Sequence, residues 1–331
     1  MIIETRAFAR AGLLGNPSDG YFGKTISIIV RNFGAHISLY ETPELHIEPM
    51  DQDLNIYKNI HDLVESVNLT GYYGASRLVK ASIKKFAEYC LENDIKLNGK
   101  NFTVRYHSSI PRQVGLAGSS AIVTATFRAL MTFYKVPIPE ELLPSIILAT
   151  EVEELGINAG LQDRVIQVYE GCVYMDFERK NLEKKGFGKY EKLDPRLLPR
   201  LYIAYKTNLG KVSGAVFNDL KARYEKGDQR ALNSLNRIAA LAEEGKEVIM
   251  KRDYKRLSEL MNENFDERQK AMSISDSNLE LVQTARECGA SAKFTGSGGS
   301  IIGIYKDDDM LKKLIIELKA INARVIKPHI F

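Results

Sequence analysis

The sequence predicts an α+β protein of two domains, on three observations. A chain of 331 residues exceeds what one hydrophobic core usually organises. Extended, β-branched segments fill residues 2 to 48, whereas helices alternate with short strands beyond residue 200. Between these regions, Arg179 to Pro199 is rich in Lys, Gly and Pro and shows no clear periodicity. That stretch marks the boundary and divides the chain into 1–195 and 196–331.

The elements follow in order. Ile2 to Leu14 reads as a strand ending in the turn Gly15-Asn16-Pro17-Ser18-Asp19-Gly20, and Thr25–Val30 and Gly34–Tyr40 read as two more. Ser18 to Thr25 (SDGYFGKT) is one residue short of a P-loop. A P-loop needs a helix next, and a strand follows Lys24, so that reading is rejected. Residues 70 to 93 carry the 3.6-residue apolar stripe of an amphipathic helix through Leu78, Val79, Ile83, Phe86, Ala87, Cys90 and Leu91. Phe102 to His107 alternates like a strand, and a buried helix is expected up to Tyr134. Pro139 then starts a helix running to Leu155, with Gly156 as its C-cap. Gly156 to Arg164 is expected to be a loop presenting Asp163, and Val165 to Phe177 a strand. In the second half a strand is expected at 201–206, followed by helices near 211–225, 229–249, 252–270 and 277–288. Strands at 291–295 and 300–305 bracket a Gly-rich turn, before a helix at 308–320 and a strand at 323–328. This alternation suggests a ferredoxin-like layer.

Composition excludes several classes of function. Hydrophobic content of 44% and charged content of 27% suit a soluble globular enzyme. A net charge of +4 leaves no nucleic-acid footprint but suits an anionic small substrate. Cys90, Cys172 and Cys288 form no CxxC pair, which argues for a reducing compartment and against a zinc cluster. No secretory signal and no apolar run of membrane length is visible, so a cytoplasmic protein is expected.

Chemistry concentrates in four places. The stretch Pro111-Arg112-Gln113-Val114-Gly115-Leu116-Ala117-Gly118-Ser119-Ser120-Ala121 keeps side chains off one side of a loop that feeds a helix N-terminus. Free N–H donors and the positive end of the helix dipole then favour phosphate. Glu151 and Asp163 flank the turn at 156–162, and Gly296-Ser297-Gly298-Gly299 forms a second small-residue turn. Arg10 and Asp19 bracket the first turn. Phosphoryl transfer needs a phosphate cradle, an oxygen ligand for Mg²⁺, positive charge and a group that orients the acceptor hydroxyl. Each has a candidate here.

The segments ARAGLLGNPSD, PRQVGLAGSSA, TEVEELGINAGLQD and KFTGSGGS, in that order, resemble the motifs and catalytic loop of the GHMP small-molecule kinases. NPSDGYFGKTIS, YYGASRL, IPRQVGLAGSSAIV, ELGINAGLQDR, ELMNENFDER and AKFTGSGGS are similar to the plant-type glucuronokinase group over nearly the whole chain. The resemblance implies a ribosomal-S5-like N-terminal domain, a ferredoxin-like C-terminal domain and a site between them. It implies an ATP- and Mg²⁺-dependent sugar 1-kinase for D-glucuronic acid, with galacturonate or a neutral hexose as the enzyme alternatives. A catalytically silent sugar sensor is the alternative from another class. Gly115, Leu116, Ala117, Gly118, Ser119 and Ser120 would wrap the ATP phosphates, with Gly296, Ser297, Gly298 and Gly299 closing over them. Ser120 and Glu151 would hold Mg²⁺, Asp163 would serve the anomeric hydroxyl, and Arg10 would lie near the transferring phosphoryl. Asn16, Asp19, Gln162 and Arg164 would face the sugar. Gly118 adds one residue to the general pattern, which leaves Ser119 and Ser120 as alternatives for the hydroxyl ligand. Asn16 replaces the acidic residue of galactokinase-like members and would remove repulsion of a uronate, with Lys24, Arg112 or Arg164 as its cation.

Overall fold

The computed structural model describes residues 2–48, 76–207 and 215–331. Strand β1 (Ile2–Leu14) pairs antiparallel with β2 (Lys24–Thr42) along almost its whole length. The outer half of β1 alternates between buried and accessible positions, whereas Ala9–Leu14 is buried throughout. That inner half is covered on both faces, which removes the need for alternation. The two segments expected at 25–30 and 34–40 form one strand. The register jumps from Phe8–Gly34 to Ala9–Val30, so the intervening residues 31–33 bulge out without ending it.

β2 is the centre of the first sheet, whose order is β3-β4-β2-β5-β6 with β1 also on β2. Here β3 is His46–Ile47, β4 Asn101–Ser108, β5 Cys172–Asp176 and β6 Lys189–Leu193. Helix α1 (Ser76–Glu92) matches the described part of the stripe expected from residue 70; 70–75 lie outside the described residues. α2 (Gly118–Tyr134) packs on β1 and β2 with eleven buried residues, because its Ala, Val and Leu positions run all round the helix.

Three expectations in this half are corrected. The helix after Pro139 is α3 (Leu143–Val152), shorter at both ends. Pro144 occupies its first turn, and Pro139–Leu142 forms a hydrogen-bonded turn instead. Asp163 lies in the first turn of a helix, α4 (Gln162–Tyr169), and not in a loop. Val165, Ile166 and Val168 read as strand from their β-branched side chains, yet all three are buried on α4. Tertiary burial overrides a weak local propensity. Glu170 and Gly171, both at positive φ, end the helix and start β5. The aperiodic stretch at 179–199 holds α5 (Arg179–Lys185) and β6, an edge strand on β5.

The chain enters the second sheet at β7 (Leu201–Lys206). Helices α6 (Ala215–Glu225), α7 (Gln229–Met250), α8 (Tyr254–Ala271) and α9 (Asp276–Glu287) follow; 211–214 of the first expected helix lie outside the described residues. Then come β8 (Lys293–Phe294), β9 (Ser300–Ile304), α10 (Asp308–Ala320) and β10 (Ala323–Ile326). The sheet is antiparallel in the order β10-β7-β9-β8, which is the split βαβ arrangement of a ferredoxin-like layer. The largest hydrophobic cluster joins both sheets: Leu13 and Ile28 share it with Leu241 and Leu260 of α7 and α8 and with Ile203 and Ile302. Gly245 makes this possible, since a Cβ there would lie 2.1 Å from Leu14 Cδ1.

Candidate functional site

The inner end of β1, the N-terminus of α2, the start of α4 and the β8–β9 turn converge on a cavity of about 770 Å³. Gly115 (φ +71°) and Ala117 (φ 60°) take left-handed conformations that turn the loop into α2. No side chain caps that helix, so its first-turn N–H groups are left without side-chain partners beside Gly118 and Ser119, which line the cavity, and such a helix start favours anions.

The β8–β9 turn holds this loop in place. Gly115 O accepts from Thr295 Oγ1 at 3.1 Å, and Val114 O accepts from Ser300 Oγ at 2.5 Å. A Cβ on Gly296 would fall 2.5 Å from Gly115 O and 2.7 Å from Arg10 Nη2, so only glycine fits. Gly296 and Ser297 line the cavity. Gly298 and Gly299 do not. They turn instead toward Asn278 and Val114, because the second half of the turn docks on α9 and the loop backbone.

Arg10 sits at the junction. Its Nε donates to Asp163 Oδ1 at 2.6 Å and its Nη2 to Asp163 Oδ2 at 2.8 Å, while Nη1 donates to Gly115 O at 2.6 Å and Thr295 O at 3.1 Å. A planar fork with spare donors suits one residue to bind a carboxylate and two loops together. Burial by itself would raise the Asp163 carboxyl, but Arg10 and Arg164 hold it below the usual aspartate value.

Arg164 continues the network. Its Nε donates to Glu151 Oε2 at 2.7 Å, its Nη2 reaches the same oxygen, and its Nη1 lies 3.5 Å from Asp163 Oδ2. Glu151 is fully buried and does not line the cavity; its other oxygen accepts from Ser119 Oγ at 2.7 Å. Of the two serines, Ser119 is the one that meets Glu151. Ser120 is fully buried and its hydroxyl bonds back to Ala117 O, so the expected pairing of Ser120 with Glu151 is replaced by Ser119 with Glu151.

Asp19, in the short 3₁₀ turn Ser18–Tyr21, also lines the cavity, close to Asp163. Its Oδ2 accepts from Gln162 N at 3.3 Å, and a Cβ on Gly160 would lie 2.1 Å from it. Burial, then the charge of Asp163, raises its pKa from 3.8 to about 6. The Gln162 side chain is buried beside Asp163, and its Oε1 has no protein partner.

Asn16 lines the cavity, and its amide is engaged as well. Its Oδ1 accepts from Lys293 Nζ at 2.5 Å and its Nδ2 donates to Phe294 O at 3.3 Å, so the amide already holds β8. Lys293 Nζ also donates to Gly12 O and Phe294 O, each at 2.7 Å. Burial, with Arg268 and Arg10 adding to it, pushes this ammonium well below the ordinary lysine value. Lys24, one of the expected substrate cations, pairs with Glu243 at 2.7 Å and does not line the cavity.

Sequence reasoning missed Asn264, Arg268 and Lys293, which set the two turns. Asn264 Oδ1 accepts from Gly15 N at 2.7 Å, and Arg268 Nη1 donates to Gly296 O at 2.7 Å. Asn264 and Arg268 are four apart on the buried face of α8, among Leu257, Leu260, Met261 and Phe265. Polar residues at apolar-stripe positions were the available signal.

Residues 77–171 match the family described as "GHMP kinases N terminal domain", and residues 238–321 match "GHMP kinases C terminal". "Probable glucuronokinase 2" of Arabidopsis thaliana is 44% identical to this chain, covering 99% of it and 91% of the relative. "Glucuronokinase 1" of the same plant is 43% identical, covering 95% and 88%. Among solved structures, the fold is similar to that of Lactococcus lactis galactokinase complexed with galactose. The TM-score is 0.78 at 15% identity, covering 99% of this chain and 93% of that one. No helix of the described residues is long and apolar enough to cross a membrane.

Proposed function

The chain belongs to the GHMP kinase family, and on that premise we propose that it transfers the γ-phosphoryl group of ATP to the anomeric hydroxyl of D-glucuronic acid, giving D-glucuronic acid 1-phosphate. The observation that carries the reading is the likeness to two glucuronokinases over nearly the full length of the chain. Residues 1–195 supply the phosphate loop and Asp163, and residues 196–331 the turn that braces them.

In this reading the first turn of α2 receives the ATP phosphates. Arg10 places its guanidinium beside the transferring group and fixes Asp163 by two hydrogen bonds. A carboxylate held below its usual pKa by two arginines orients the sugar hydroxyl more effectively than it removes its proton. The new bond joins the anomeric oxygen to phosphorus while the bond to the bridging oxygen of ADP breaks. The hydroxyl proton passes to Asp163 as that transfer completes. Asp19, with Gln162 above it, accepts from other sugar hydroxyls. Ser119 lines the cavity and would offer its hydroxyl as a hard oxygen ligand to Mg²⁺, with buried Glu151 behind it accepting from that hydroxyl at 2.7 Å and held by Arg164. The ion, when bound, would neutralise charge on the phosphate oxygens. Buried and unpaired Cys90, Cys172 and Cys288 support a reducing, cytoplasmic setting.

The test is a screen of glucuronate, galacturonate, glucose and galactose with ATP, with sugar 1-phosphate detected by mass. Preferential glucuronate 1-phosphate is expected. A neutral hexose turned over more efficiently than either uronate would overturn the reading.

A further inference from the structure

We propose that Lys221 is the residue that reads the substrate's carboxylate, an inference that rests on the uronate reading above. The cavity is lined by five cations among the described residues: Arg10, Arg77, Arg112, Arg164 and Lys221. Arg10 and Arg164 are committed to Asp163 and Glu151. Arg112 lies three residues before Gly115, and Arg77 is in the first turn of α1, which packs on the phosphate-loop helix α2. Both approach the cavity from the side of the phosphate loop.

Lys221 arrives from the opposite side. Tyr224, three residues further along α6 and on the same face, packs its ring 4.8 Å from that of Tyr21. Tyr21 ends the turn that carries Asp19, and Leu220 buries itself in the cluster against which both tyrosines pack. α6 is thus docked on the sugar side of the cavity, with Lys221 on its wall. Lys221 is exposed and makes no ion pair with a described residue.

The charge balance at that end explains why a cation is needed. Asp163 is matched by Arg10 in direct contact, whereas Asp19 is held by a backbone N–H, feels Arg10, Arg164 and Arg268 without an ion pair to any of them, and is ionised above about pH 6. A sugar anion entering beside Asp19 meets a like charge that no cation contacts directly, which disfavours binding. A lysine on the same wall reverses that balance, and its flexible stem lets the ammonium follow the carboxylate.

The experiment compares kcat/KM for glucuronate and for glucuronamide, its neutral isostere, in the parent enzyme and in Lys221→Gln and Lys221→Arg. Lys221→Gln is expected to lower kcat/KM for glucuronate by roughly 10- to 100-fold, the worth of one charge-assisted hydrogen bond. The loss should fall in KM, with glucuronamide little changed, and Lys221→Arg should restore most of it. An unchanged glucuronate-to-glucuronamide ratio in Lys221→Gln overturns the assignment. If the parent itself does not distinguish the two sugars, the uronate reading fails and the assignment with it. If the parent distinguishes them and Lys221→Gln still does, only Lys221 is ruled out.

Discussion

Replacing Asp19 by Asn should stabilise the protein at neutral pH while impairing its use of sugar. The carboxyl of Asp19 has its pKa raised from 3.8 to about 6, by burial first and by Asp163 second. A proton held more tightly in the folded chain than in the unfolded one means that ionisation works against folding. Stability should therefore fall as pH rises from about 4 to about 6, with the full loss present above that range. The difference corresponds to at most about 3 kcal/mol, and less in so far as water reaches the partly exposed carboxylate. Asp19→Asn keeps an oxygen to accept from Gln162 N and removes the charge. For a chain of 331 residues the gain at pH 7.5 is a rise in Tm of up to roughly 4 °C. Unfolding of both proteins should be followed between pH 4 and pH 7.5, alongside KM for the sugar. The variant should lack the decline in stability across the lower half of that range, and its KM should rise. Equal pH slopes in the two proteins, or a variant less stable than the parent at pH 7.5, would refute the reasoning.

Three further outcomes are expected. Asp163→Asn should lower turnover by roughly 10²- to 10⁴-fold with ATP affinity nearly intact, and turnover close to the parent's would remove Asp163 from the chemistry. Ser119→Ala should raise the Mg²⁺ concentration needed for half-maximal rate, whereas Ser120→Ala should not, since its hydroxyl bonds to Ala117 O. A Mg²⁺ titration with the opposite result would return the register to Ser120. Gly296→Ala should lower turnover by about 10²-fold, because a Cβ 2.5 Å from Gly115 O and 2.7 Å from Arg10 Nη2 must push the phosphate loop and Arg10 apart. Stability should fall by about 1–3 kcal/mol, the usual cost of overpacking, measured by denaturant unfolding.

The sequence by itself determined the class of the fold, most element types and the identity of the loops around the cavity. Periodicity over many residues carries that information: the stripes of α1, α7 and α8, the alternation of β4 and the small residues at 115–118 each repeat or cluster along the chain. Where a segment was short or its propensity ran against its surroundings, local reading failed. α4 is eight residues rich in β-branched side chains, and it is a helix because Val165 and Ile166 are buried against α2 and β1.

The partners of the charged groups were decided only by tertiary structure. Arg10 and Asp163 are 153 positions apart, and Lys293 reaches Asn16 across 277. The register of Ser119 against Glu151 hangs on one left-handed residue, Ala117, where α2 begins. Sequence placed Asn16 at the sugar, and only the fold shows that its amide also holds β8 while the residue lines the cavity. A side chain's neighbours in sequence specify its local conformation, but a hydrogen bond depends on ångström-scale placement of groups from distant elements. Only the packing of the two sheets and their helices on one core sets that placement.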